Sequence, residues 1–210
     1  MINGIGIFGG TFDPPHLGHL ILAAEARFQL ELQRVLWVLT PFPPHKEGKP
    51  ITPLHHRFAM VQRVVAQDEG FELSDVEMQR PGPHYTVETL QLLREKYPQE
   101  RLVLLLGGDS LRDLPSWSRP EQLVALCDEI GVMRRPGDVL DLLSLDSLLP
   151  GIRERVRFVN APLLEISSRE IRRRIAQGWP FRYYLPPAVY EYIQEHGLYQ
   201  HSADASSQHR

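Results

Sequence analysis

Residues 4–19 read GIGIFGGTFDPPHLGH, and the fold turns on how this stretch divides. Ile5 to Phe8 are apolar and β-forming, which makes them a first strand. Gly9 and Gly10 permit a tight turn and close approach of a ligand to the backbone, and Pro14 and Pro15 stiffen the loop beyond them. A helix is expected from near Leu17, with Leu20, Ile21, Ala24 and Phe28 turned toward a sheet. Gly4, Gly6 and Gly9 also spell G-x-G-x-x-G, but the apolar residues stand between these glycines, so the segment is the strand itself. A dinucleotide fingerprint needs its strand before the first glycine and an acidic residue at the end of the next strand, and neither is present.

Outward from this unit, strand and helix patterns alternate, the signal for β-α-β units on a parallel sheet. Arg34–Leu39, Phe71–Leu73, Leu102–Leu106, Ile130–Met133 and Arg157–Val159 read as further strands. The run LVLLL at 102–106 is apolar throughout, as in a central parallel strand covered on both faces. Helical patterns cover Leu54 to Gln67, then Val87 to Tyr97 with Leu90, Leu93 and Tyr97 inward. The helices Ser168 to Gln177 and Pro186 to His196 close the chain, the second stopped by Gly197. The expected fold class is α/β, a Rossmann-like doubly wound parallel sheet with C-terminal helices. TPFPPHKEGKPITP, residues 40–53, is an exposed loop that holds His45 and Lys46.

The chain has 210 residues, 23 Lys plus Arg against 26 Asp plus Glu, and a net charge of −3. Its length suits one domain over residues 1–200, since domains take roughly 100–200 residues; polar residues 201–210 form a tail expected to be disordered. With so little net charge there is no global field for nucleic acid or an anionic membrane, so phosphate binding must come from a local cluster. Neither of those partners is expected. The single cysteine, Cys127, lies in the apolar run LVALCDEIGV and reads as a small buried hydrophobe. No stretch approaches a membrane span and the first residues lack a signal-peptide layout, so the expected location is cytoplasmic. A homo-oligomer is left open.

Two segments carry chemistry. In GGTFDPPHLGH, Gly9–His19, the imidazoles of His16 and His19 share one face of a first helical turn beside its unbonded amides, a phosphate site. Solvated histidines, or a metal held with Asp13, are the competing readings; no third ligand stands at a recognisable spacing, and no residue is assigned to a metal. ISSREIR, residues 166–172, places Ser167 and Ser168 at a helix start with Arg172 one turn in. That is a second anion site, or else an ordinary capped basic helix.

Together these segments resemble the nucleotidylyltransferase superfamily with an H-x-G-H phosphate motif. The signature residues here are Gly9, Gly10, Thr11, Phe12, Asp13, Pro14, His16, Gly18 and His19. ISSREIR resembles the superfamily's I-S-S-T-x-I-R, which holds the triphosphate of ATP from the opposite side; Arg169 replaces the usual hydroxyl. PFPPHK, RPGPHYTVETL, GGDSL with Trp117, MRRPG and YLPPAVYEYIQEHGLY extend the resemblance, nearly from Gly4 to Tyr199, to bacterial nicotinate-nucleotide adenylyltransferases. Gly108 stands where that family commonly has Ala.

The resemblance implies that ATP and nicotinate mononucleotide give deamido-NAD and pyrophosphate, with Mg²⁺ bridging phosphate oxygens. His16, His19, Lys46 and Arg172 are then the catalytic donors, with Lys46 closing over the phosphates on its loop. Gly9, Gly10, Thr11, Phe12, Gly107, Asp109, Arg134, Ser167 and Ser168 would bind ATP, and Asp13 would support the loop. Trp117 would stack on the pyridine, with amides around Tyr85, Thr86 and Trp117 receiving its carboxylate. The same chemistry on nicotinamide mononucleotide or phosphopantetheine, a regulatory ATP-binding module and a histidine metal hydrolase are the rival readings.

Overall fold

The computed structural model describes residues 4–43, 50–133, 141–162 and 165–200. Its elements run β1 (Gly4–Gly10), α1 (Leu17–Gln29), β2 (Leu32–Leu39), α2 (Leu54–Val65), β3 (Phe71–Ser74), α3 (Thr86–Lys96), β4 (Arg101–Gly107) and α4 (Gly108–Asp113). Then come α5 (Pro120–Leu126), β5 (Glu129–Met133), α6 (Leu142–Leu148), α7 (Ile152–Arg155), β6 (Val156–Val159), α8 (Ser168–Ala176) and α9 (Pro187–Glu195). All six strands pair in parallel, in the order β3-β2-β1-β4-β5-β6. Because β2 and β4 flank β1 on opposite sides, the chain leaves β1 one way and returns the other. The carboxyl ends of β1 and β4 therefore border the crevice in which such sheets bind ligands.

Strand alternation divides the core in two. Val35, Trp37 and Leu39 of β2 and Val103 and Leu105 of β4 face one layer, which α1, α2, α8 and α9 cover. Leu36 and Val38, with Leu102, Leu104 and Leu106, face the other, covered by α3, α5, α6 and α7. This is the doubly wound arrangement expected, and β4 is buried on both faces as its uniform apolarity requires. The G-x-G-x-x-G spacing falls inside β1, so the glycines are strand residues. A Cβ on Gly6 would stand 2.9 Å from Leu32 and 3.2 Å from both Leu105 and Val35. Gly6 thus lets neighbouring side chains close over β1.

Helix α1 is turned differently from its sequence pattern. Leu22, Ala23 and Ala26 form the inner face, whereas Ala24 is exposed and Phe28 is 82% exposed. The stripe keeps helical spacing but is rotated, bringing two alanines to the sheet and pointing Ile21 into the ligand cavity. Summed hydrophobicity favoured the larger residues; close approach to the sheet favours the smaller ones. The short helices α4, α5 and α7 have no counterpart in the sequence pattern. The 201–210 tail lies outside the described residues.

Gly6→Val is expected to lower unfolding free energy by about 1 to 3 kcal/mol, the usual cost of overpacking. Urea unfolding checks this: an unchanged midpoint at unchanged slope would contradict the close packing over β1.

Candidate functional site

The loop from Thr11 to His16 is buried along its whole length, so its carbonyls need partners from within the protein. Three side chains remote in sequence supply them. Arg57 of α2 donates Nη1–H to the Thr11 carbonyl at 3.1 Å. Arg172 of α8 donates Nη1–H to the Asp13 carbonyl at 2.6 Å, and the Ser168 hydroxyl donates to the Pro14 carbonyl at 2.9 Å. The Asp13 carboxylate accepts from the Thr52 amide at 3.3 Å and from the Tyr199 hydroxyl at 2.7 Å. Burial, then the Asp13 charge, push the Tyr199 pKa up, which keeps it a donor.

This loop delivers two stacked imidazoles to the start of α1. His16 is the N-cap, and its amide donates to Nδ1 of His19 at 3.1 Å. A backbone N–H only donates, so the neutral His19 ring carries its proton on Nε2. The rings stack with centroids 3.7 Å apart and planes 23° apart. Gly18 makes room: a Cβ there would sit 3.2 Å from the His16 ring. Desolvation lowers the His16 pKa to about 4, so this ring is neutral at physiological pH. Phe12, whose φ is +47°, tucks its ring beneath Gly10 and edge-on to His19, at 5.2 Å between centroids.

Both motifs face one cavity of about 1460 Å³ at the β1 and β4 carboxyl ends. That exceeds the roughly 300–1,000 Å³ of common small-molecule sites and gives room for two nucleotides. Gly9, Gly10, Thr11, His16 and His19 line it, and so do Ser167 and Ser168. Ser167 also caps α8, accepting from the Glu170 amide at 3.2 Å, as the plainer reading of this segment requires. Arg172 stands behind the loop rather than on the cavity wall. Gly107, Tyr85, Thr86 and Trp117 line the cavity, with Tyr85 as N-cap of α3. Trp117 also packs against the second core layer, so it is both wall and anchor. Asp109 turns outward, 3.0 Å from Arg112. Lys46 and Arg134 lie outside the described residues.

Sequence reasoning missed Arg57, Glu77 and His84. Arg57 is 2% exposed, and besides Thr11 it donates to the carbonyls of Thr40, Pro41 and Thr52 at 2.8–2.9 Å. Burial lowers its pKa and the Asp13 charge opposes that shift. A signal was available: Arg57 shares the buried stripe of α2 with Met60, Val61 and Val64, where a cation has no place without acceptors. Glu77 and His84 are buried polar residues on the cavity wall.

A parallel sheet in this strand order, with an imidazole-bearing loop at its switch point, defines a nucleotide-binding α/β protein. The chain belongs to the cytidylyltransferase-like family, whose model matches residues 7–174, and within it to the nicotinate-nucleotide adenylyltransferases. It is 48% identical over 199 residues to a Thermomicrobium roseum protein named "Probable nicotinate-nucleotide adenylyltransferase", covering 95% of this chain and 92% of that one. A Thermus thermophilus protein of the same name is 43% identical over 196 residues, covering 93% and 99%. The fold is similar to Plasmodium falciparum nicotinic acid mononucleotide adenylyltransferase complexed with NaAD, with TM-score 0.78, 23% identity and coverage of 95% and 98%.

Arg57→Ala strands several buried carbonyls at once and is expected to cost about 2 to 4 kcal/mol of stability, measured by urea unfolding. His16 sets a pH dependence. Its unfolded imidazole takes up a proton below 6.5 and its folded one only near 4, so acid favours unfolding within that window. Stability should fall by up to about 3 kcal/mol from this group as pH drops through the window, and His16→Gln should flatten the profile there.

Proposed function

We infer that residues 1–200 act as one unit that transfers AMP from ATP to nicotinate mononucleotide, giving deamido-NAD and pyrophosphate. The observation that carries this reading is the meeting of two distant phosphate-type motifs on one two-nucleotide cavity, where His19 is held as an Nε2–H donor. The attacking group is a phosphate oxygen already ionised at neutral pH, so no general base is required. Catalysis then rests on aligning attacking oxygen, α-phosphorus and leaving oxygen, and on stabilising charge that grows on pyrophosphate, with no covalent intermediate.

The residues divide that work. His19 donates Nε2–H to phosphate, and His16, neutral and stacked on it, sets the ring's position. Gly9 and Gly10 bring backbone close to ATP, Thr11 and Phe12 shape the loop, and the α8 start with Ser167 and Ser168 faces the phosphates. Arg172 anchors the loop through the Asp13 carbonyl and so holds the imidazoles in place. Lys46 donates to the pyrophosphate. Gly107 and Arg134 serve the adenylate end, and Asp109, paired with Arg112 outside the cavity, is left without that contact. Trp117 stacks on the pyridine, and amides at the start of α3, around Tyr85 and Thr86, receive its carboxylate.

Mg²⁺ would be carried mainly by the phosphates, whose charge it neutralises. Among the described residues no group of three or more His, Cys, Asp or Glu is placed to hold a metal, and both Asp13 oxygens already accept hydrogen bonds. Cytosolic residence fits the buried free thiol of Cys127, whose pKa burial pushes up to about 12. Among the described residues no helix is long and apolar enough to cross a membrane.

Purified protein with ATP, Mg²⁺ and nicotinate mononucleotide should release pyrophosphate and deamido-NAD in equal amounts, with nicotinamide mononucleotide used more slowly. Absence of product from either mononucleotide would refute the reading. His19→Ala should lose roughly 10² to 10³ in kcat, as when one preorganised donor is removed; a change confined to KM would contradict its role.

A further inference from the structure

His84 is a buried polar residue of the cavity wall to which the adenylyl transfer gives no task. It is 4% exposed, and neither Nδ1 nor Nε2 has a hydrogen-bond partner among the described residues. Its ring stacks on Phe42, from the loop after β2, with planes 12° apart and centroids 6.0 Å apart, and Gly82 packs beside its Nε2. It immediately precedes Tyr85 and Thr86, where α3 begins. Two orphaned ring nitrogens are costly in a dry wall unless a ligand completes them.

We propose that His84 is a specificity-determining residue of this site: it takes up a proton when a pyridine carboxylate enters the cavity and holds that carboxylate as an imidazolium. This rests on the proposed adenylyl transfer to a pyridine mononucleotide and adds to it a cause of preference for acid over amide substrates.

The surrounding charges support this division of states. Among the described residues Arg80 and Glu88 are the charged groups that act on His84, and they are bonded to each other at 2.7 Å, so neither is a dedicated partner for the imidazole. Glu77, on the same cavity wall, receives the Thr89 hydroxyl on one oxygen at 2.5 Å, and burial raises its pKa. With desolvation the dominant influence, the His84 pKa is lowered, and the free protein holds the ring neutral. An incoming carboxylate supplies the missing anion and raises that pKa; an uncharged carboxamide does not. The proton comes from solvent. Both mononucleotides carry the same phosphate, so its ionisation cancels in a comparison, and the pyridine carboxylate stays ionised above about pH 5.

The test is the ratio of kcat/KM for nicotinate over nicotinamide mononucleotide, from about pH 6 to about pH 8.5, in wild type, His84→Asn and His84→Gln. In wild type the ratio should fall at least about fivefold across this range, as protonation of the complex becomes unfavourable. In both variants it should be nearly flat and lower at the acid end. Indicator dye in weakly buffered protein should record more proton uptake with the acid than with the amide in wild type, and no such difference in the variants. A purely packing role would lower both substrates' kcat/KM and leave the slope of the ratio intact. A ratio independent of pH in wild type, or the same slope and uptake difference in the variants, would overturn the proposal while leaving the transferase standing. Turnover of neither mononucleotide would overturn the function, and this inference with it.

Discussion

The site depends on how a buried loop satisfies its backbone. Residues 11–16 run beneath the protein surface between β1 and α1, where an unbonded carbonyl costs about 1–3 kcal/mol. The acceptors at Thr11, Asp13 and Pro14 are met by Arg57, Arg172 and Ser168, from helices that begin about 40 and about 150 residues downstream. One set of bonds therefore does two things. It makes the loop tolerable in a dry environment, and it draws the start of α8 against the start of α1, so that two motifs become one cavity wall.

Electrostatics derive from that geometry. With a net charge of −3 the chain has no general attraction for nucleotides, yet the cavity offers oriented N–H groups from helix starts and an imidazole whose proton is confined to Nε2 by a backbone amide. Desolvation keeps His16 neutral. Donors held in place before the substrate arrives need no reorganisation as charge develops on a leaving group. Loop anchoring and the fixed placement of these donors are thus consequences of the same buried hydrogen bonds.

What was legible in the sequence was local. The strand at Ile5–Phe8, the apolar β4 and the H-x-G-H spacing each derive from residue type and short-range geometry, and each stands in the structure where the pattern places it. The inner face of α1 is not legible in the periodicity, which reports a stripe but not how closely the helix must approach. Ala23 and Ala26 win the inner positions over bulkier Phe28 once the sheet is fixed. Arg57 left a trace, a cation on an apolar stripe, but its acceptors lie in three separate segments. His84 sat within RPGPHYTVETL without a role, since nothing local reveals that both its nitrogens would be buried without partners.

The sequence by itself determined the alternation that yields a parallel doubly wound sheet and the residue types at each phosphate motif, because both are set by side-chain pattern within one or two turns of chain. Tertiary structure alone decided which face α1 turns inward, that Arg172 braces the Asp13 carbonyl from behind the loop, and that carbonyls from three separate segments meet on Arg57. Those outcomes depend on which donors and acceptors are brought together after water is excluded, and that requires contacts between residues far apart in the chain.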